Sequence, residues 1–157
     1  MASRARVAGH PIHPMLVVFP SALFVVAFLC DLARLITGVS TPYSVLAYYS
    51  IAGGIVGALL AALPGFIDYL SLERPNLKRL GRLHMLTNSG VVLLFVINIY
   101  LRRPSGIAGQ SKALPMILSS VGIVLLGVSG WLGGEMVYVH GVGVEKTGEG
   151  GSRSRTP

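Results

Sequence analysis

Seven side chains in this 157-residue chain could meet at one chemical site: His10, His13, Asp68, His84, Glu135, Tyr138 and His140. Histidine and carboxylate groups together are ligands for transition metals, and two facing histidines are axial ligands for haem iron. The spacing matters more than the residue types. His10 and His13 stand just before a long apolar run, and Asp68 closes the next one. His84 opens the third run, and Glu135, Tyr138 and His140 close the fourth. If each run crosses the membrane once, all seven come to one end.

Two chemistries follow from that convergence. In the first, His13 and His84 ligate a haem b from opposite faces, with Arg79 or Arg82 near its propionates. The slot between helices would be left by Gly57, Gly130 and Gly133. In the second, His10, His13, Asp68, His84, Glu135 and His140 supply ligands to one or two transition metals, as facing helices do in di-iron bundles. Glu135 lies inside its apolar run, so it is expected within the bundle, near His13 or His84, because a carboxylate facing lipid is costly. His140 precedes a glycine and also reads as a helix stop. A plainer account competes, in which these groups cap helices or meet lipid headgroups. No phosphate loop, dinucleotide fingerprint, paired-cysteine motif or HExxH is present, and no serine has a nucleophile context. Whether the chain is an enzyme is left open.

The elements that must position these groups are four membrane helices. The chain is 52% hydrophobic and 12% charged, against about 25% charged residues in a soluble domain. Its mean hydropathy is +0.68. The runs at about 15–37, 43–69, 83–100 and 114–138 are each near the roughly 20 residues that a helical span needs. Alternation is missing, so long strands are not expected. The fold class is therefore all-α: a four-helix transmembrane bundle. Short connections make it up-down-up-down, one domain over 1–140. The segment 141–157, Gly-rich and basic, is expected to be disordered.

Finer expectations attach to single residues. His13 can cap the first helix with Pro14 at its first position, and Pro20 should kink it. Asp31 and Arg34, three apart, can pair on one face. Gly53, Gly57, Ala61 and Gly65 recur every four residues, as do Gly130 and Gly134, which suits close helix packing in lipid. Pro64-Gly65 should bend or unwind the second helix. His84, Asn88 and Asn98 share one stripe of the third helix, expected to face the interior. The two hairpins echo each other: His13-Pro14-Met15-Leu16 against His84-Met85-Leu86, and Asp68-Tyr69 against Glu135 with Tyr138. The echo implies a pseudo-two-fold site between diagonal helices one and three.

Composition also excludes. The net charge is +7, but the basic residues cluster between apolar runs and in the tails. That suits anionic headgroups rather than nucleic acid, which needs a continuous basic stripe. Cys30 has no partner cysteine and reads as a small buried hydrophobe. Pro14 and Pro20 interrupt any signal-peptide core, so the first run is expected to be retained as a span.

With these residues in view, the chain resembles a bacterial membrane-protein family called domain of unknown function 2231. The resemblance rests on G-H-P-I-H-P-M-L-V-V-F-P at Gly9 to Pro20 and G-F-I-D-Y at Gly65 to Tyr69. It rests also on His84 to Asn88 and on G-W-L-G-G-E-M-V-Y-V-H-G-V-G-V at Gly130 to Val144. It implies a four-helix membrane domain in an electron-transfer setting, since members occur near or fused to redox modules such as cytochromes.

The reading that follows is a membrane redox or metal-binding subunit. The alternatives are a non-catalytic anchor or scaffold for a redox partner, and a metal or ion permease acting as an oligomer. Expected partners are the lipid bilayer, a redox protein and further copies of the chain, with no nucleic acid. The site end carries Arg4, Arg6, Arg74, Lys78, Arg79, Arg82, Lys146, Arg153 and Arg155. The other carries Arg34, Arg102, Arg103 and Lys112, so the basic residues divide nine against four. Excess Lys and Arg mark the cytoplasmic side. The expected location is the bacterial inner membrane with both termini in the cytoplasm. Reporters fused after Pro157 should therefore be active in the cytoplasm; activity confined to the periplasm reverses the orientation and puts the polar end outside.

Overall fold

A computed structural model describes residues 3–102 and 113–144. The connection at 103–112 and the tail at 145–157, with the disorder expected of it, lie outside the described residues. Four helices follow in order: α1 Ile12–Thr37, α2 Thr41–Leu70, α3 Pro75–Leu101 and α4 Ala113–Gly134. A π-helical turn, Glu135–Val139, continues α4. All four are long and apolar enough to cross a membrane, and a helix is the form that satisfies its own backbone there. Large apolar side chains such as Phe19, Leu63 and Trp131 are exposed on the outside. In a bilayer that surface meets lipid tails.

The boundaries differ from expectation where charge hid a helix. α3 starts at Pro75, eight residues before the apolar run. Pro75 stands where a helix can spare its N–H. Leu77 and Gly81, four apart, bury one face of these first turns. Leu72 and Tyr69 press on Gly81 so closely that a Cβ there would lie 2.9 Å from Leu72. The charged residues occupy the other face. Ahead of α1, a minimal antiparallel pair, β1 Arg6–Val7 and β2 His10–Pro11, forms a hairpin. Its turn residues, Ala8 and Gly9, both have positive φ, as the tightest hairpin turn requires. α1 starts at Ile12, so His13 is inside the helix and does not cap it.

Neither proline breaks its helix. α1 continues through Pro20, and α2 through Pro64-Gly65 without unwinding. Both prolines are buried. A proline withholds one N–H from the ladder, and a neighbouring helix can make up the loss. His13 Nδ1 also reaches α2, at the Ala61 carbonyl 2.8 Å away, next to the Leu60 carbonyl that Pro64 leaves without its N–H.

α1 packs chiefly on α2 and α3 on α4; the hairpins then meet through α1 with α4 and α2 with α3. α1 and α3 are thus diagonal and parallel, and they touch at three levels. His13 meets His84 at one end. Phe24 stacks on Phe95 in the middle, ring centres 4.0 Å apart and nearly coplanar. Asp31 meets Arg102 at the other end. Each pair is offset by 71 residues in sequence. The partner helices repeat as well, at an offset of 68. Gly54 lies against Phe24 and Gly122 against Phe95; Gly65 lies against His13 and Gly133 against His84. The hairpins are structural repeats about a pseudo-two-fold axis.

The core is centred on the stacked phenylalanines, with Ala27, Ala47, Ile51 and Val91 fully or almost fully buried around them. A Cβ on Gly54 would sit 2.5 Å from Phe24, and one on Gly122 2.8 Å from Phe95. These glycines are what let the rings reach the axis. At the far end Asp31 pairs with Arg102 across the diagonal and not with Arg34. Arg34 reaches α2 instead, donating to Ser44 Oγ at 3.1 Å. Ser119 donates to Asp31, and Asn98 donates to Ser119 Oγ and to the Pro115 carbonyl. The Asp31 and Arg102 side chains are 3% and 6% exposed, so removing either one leaves the other buried without its partner.

Two outcomes test this core in mixed-micelle unfolding titrations. Phe24→Ala should cost about 3–5 kcal/mol, and Gly54→Val or Gly122→Val about 1–3 kcal/mol by overpacking. Arg102→Met should cost about 3–5 kcal/mol by leaving Asp31 unpaired, while Asp31→Leu with Arg102→Met recovers most of it. Single variants as stable as the parent would show that the ion pair does not hold the hairpins together.

Candidate functional site

The His13 and His84 rings are perpendicular, with centres 6.2 Å apart. Each ring is held from behind by its own hairpin. His13 Nδ1 lies 2.8 Å from the carbonyl oxygen of Ala61, and His84 Nδ1 2.9 Å from that of Ser129. A carbonyl can only accept, so Nδ1 carries a proton in both rings, and in the neutral form the lone pair is at Nε2. Ser129 Oγ also lies 3.1 Å from His84 Nδ1. Gly65 and Gly133 make room for these contacts. A Cβ on Gly65 would stand 2.7 Å from His13 Nδ1, and one on Gly133 3.2 Å from His84 Cε1.

The Nε2 atoms differ in their surroundings. Asn88, one turn along α3, donates to His84 Nε2 at 3.1 Å and to the His84 carbonyl at 3.0 Å. His13 Nε2 has no hydrogen-bond partner among the described residues. Both rings are partly buried. The site is thus two imidazoles, one on each hairpin, each with Nδ1 turned onto a backbone carbonyl and Nε2 turned away from it.

The other candidates do not join the pair. Asp68 is taken up by the N-terminal arm. Ser3 Oγ donates to its two oxygens at 2.8 and 3.0 Å, and the backbone N–H groups of Arg4 and Ala5 donate to Oδ1 at 2.9 and 3.1 Å. His10 is exposed on the arm, its Nδ1 3.0 Å from the Ala8 carbonyl. Glu135 is partly buried in the π-helical turn, and its carboxylate has no hydrogen bond or ion pair among the described residues. His140 closes that turn, its N–H donating to the Glu135 carbonyl, and Gly141 follows with φ +65°. It is the helix stop its following glycine suggested. Tyr138 is 90% exposed. Arg79 and Arg82 are exposed on α3. Among the described residues, no three of His, Cys, Asp and Glu come together as a metal-holding group.

The glycine slot for a flat cofactor is mostly filled. The Pro20 ring occupies the space beside Gly57, and His84 that beside Gly133; Gly130 faces no neighbour within 4 Å.

Sequence reasoning missed two features. The Asp68 clamp on residues 3–5 uses backbone N–H groups, which leave no mark in the residue types. The Asp31–Arg102 cluster did have a signal. Leu23-Phe24-Val25 recurs as Leu94-Phe95-Val96, and Gly54-Ile55-Val56 as Gly122-Ile123-Val124. Extending the first register by seven residues sets Asp31 opposite Arg102. Asn98 shares the His84 stripe and is buried, as expected, but it serves the Asp31 end.

No curated protein and no solved structure matches this chain. A family model described as "Predicted membrane protein (DUF2231)" matches residues 9–146. With four membrane-length helices and that match over most of its length, the chain belongs to the membrane-protein family of domain of unknown function 2231.

Proposed function

We propose that the protein is a membrane redox or metal-binding subunit whose His13–His84 pair takes one transition-metal ion. The observation that carries this reading is the matched pair itself: each Nδ1 fixed on a backbone carbonyl, each Nε2 left basic. Metal-ligating histidines are oriented in this way, by donating their other ring nitrogen to an acceptor behind them. Metal–nitrogen bonds of about 2.0–2.1 Å to two opposed imidazoles put the ring centres about 6 Å apart, and the observed separation is 6.2 Å. Water or a partner's group would complete the coordination. Zinc and copper suit imidazole without carboxylate.

Haem b is the second form of the same reading, with Arg79 and Arg82 available to propionates. It would require the hairpins to part, because Pro20 and His84 fill two of the three glycine positions. Between the two polar levels the bundle is packed with Phe24, Phe95, Ile51 and Val91. That favours a site reached from one end over a path across the membrane. A redox protein at that end and further copies of the chain are the partners this reading allows. The cytoplasmic side of the inner membrane is the location that the charge asymmetry favours.

Protein purified from its native membrane should carry about one metal ion per chain by elemental analysis. Occupancy should be lost in both His13→Ala and His84→Ala and unchanged in Asp68→Asn and Glu135→Gln, whose carboxylates lie apart from the pair. Asn88→Ala should keep or raise it, because Asn88 competes for His84 Nε2. A Soret band lost in both histidine variants identifies haem instead. If neither metal nor haem is found, the histidines are structural and the scaffold reading replaces this one.

A further inference from the structure

We infer that the first two turns of α3 are a docking surface for anionic phospholipid headgroups, at the same end as the histidine pair. Arg74, Lys78, Arg79 and Arg82 are exposed there. Lys78, Arg79 and Arg82 lie within about 100° of one another around the helix, opposite the buried Leu77 and Gly81. None of the four has an ion pair among the described residues, and Glu73 is the single acid in the stretch. The surface is rigid: Leu72 and Leu77 are 5% and 2% exposed, and Gly81 is locked beneath Tyr69 and Leu72. A row of exposed, unpaired cations on a well-packed helix face offers a site to an anionic partner outside the chain.

Its position identifies that partner. The platform continues a membrane helix directly, so it lies at headgroup depth. Arg4 joins it, exposed on the arm that Asp68 clamps to the end of α2. Tyr138, 90% exposed at this end of α4, is the kind of ring that settles at the membrane–water boundary. The opposite end offers nothing comparable among the described residues. Arg34 is turned onto Ser44, and Arg102 is buried on Asp31. Among the described residues the exposed cations are thus gathered on one leaflet, where each basic residue near an anionic surface raises affinity by about fivefold. This surface stands independently of any metal at the histidines.

The test is lipid selectivity of the full chain reconstituted in phosphatidylcholine vesicles with a minor share of phosphatidylglycerol, read with spin-labelled lipids. The parent should prefer labelled phosphatidylglycerol over phosphatidylcholine, with the preference falling in high salt. Replacing Arg74, Lys78, Arg79 and Arg82 by Gln should cut it at least about tenfold, while Arg34→Gln at the far end leaves it unchanged. Arg79→Gln with Arg82→Gln, checked by thermal melting, decides the case if the fourfold variant does not fold. A parent without preference, or variants that keep it, overturns the inference. Soluble glycerol phosphate displacing the labelled lipid would also overturn it, by showing a site for free phosphate.

Discussion

The stack of Phe24 on Phe95 is the contact on which the rest of the bundle depends. Helices in lipid gain little from burying apolar surface against one another, because the tails they leave are equally apolar. They must gain from close fit and from polar contacts. Two aromatic rings 4.0 Å apart at the centre of a bundle demand that the flanking helices withdraw, and Gly54 and Gly122 allow it. Once the diagonal pair is in register at its centre, helix periodicity determines its ends. His13 lies 11 residues before Phe24, and Asp31 seven after; His84 and Arg102 stand in the same relation to Phe95. Eighteen residues are five whole turns, so both ends face the axis that the rings face, about 27 Å apart. That is close to the hydrocarbon thickness, so the polar contacts fall near the two boundaries.

The two ends differ in what they leave undone. Asp31 and Arg102 are complementary, and with Ser119 and Asn98 they close a network that needs nothing from outside. The histidines are alike. Each offers a lone pair at Nε2, and two lone pairs cannot satisfy each other. Asn88 answers one of them and leaves the other. A pseudo-symmetric scaffold thus has a locked end and an open end. The open end can be completed by a shared electrophile, and this asymmetry is the physical reason to look for function there.

Much of this was legible in sequence. Spans of the right length and short connections lead to the bundle and its order. The matched positions of His13 and His84 lead to their meeting. What was lost has particular causes. The start of α3 was hidden because Lys78, Arg79 and Arg82 read as a charged loop, while the Leu77–Gly81 spacing that makes it a helix is only one turn long. Asp31 was assigned to Arg34 because local pairs are visible in a single run. Its true partner is 71 residues away and appears only when the hairpins are aligned on their Leu-Phe-Val segments. Asp68 looked like a ligand because it ends a membrane helix. The N–H groups that claim it belong to an arm whose residue types carry no such instruction.

That claim on Asp68 shapes the candidate site. Three donors, the Ser3 hydroxyl and the Arg4 and Ala5 N–H groups, hold the carboxylate toward residues 3–5. Among the described residues, neither histidine ring has an ion pair with a carboxylate. A cation held there keeps its whole charge in a partly buried setting, and the cost of burying charge grows steeply with its magnitude. For the proposed metal centre this favours copper in its singly charged form over zinc or doubly charged copper, unless an anion arrives with the ion. The clamp also anchors the arm that leads directly into α1, so the residues before His13 cannot drift from the end of α2. One carboxylate thereby orders the arm that leads to His13.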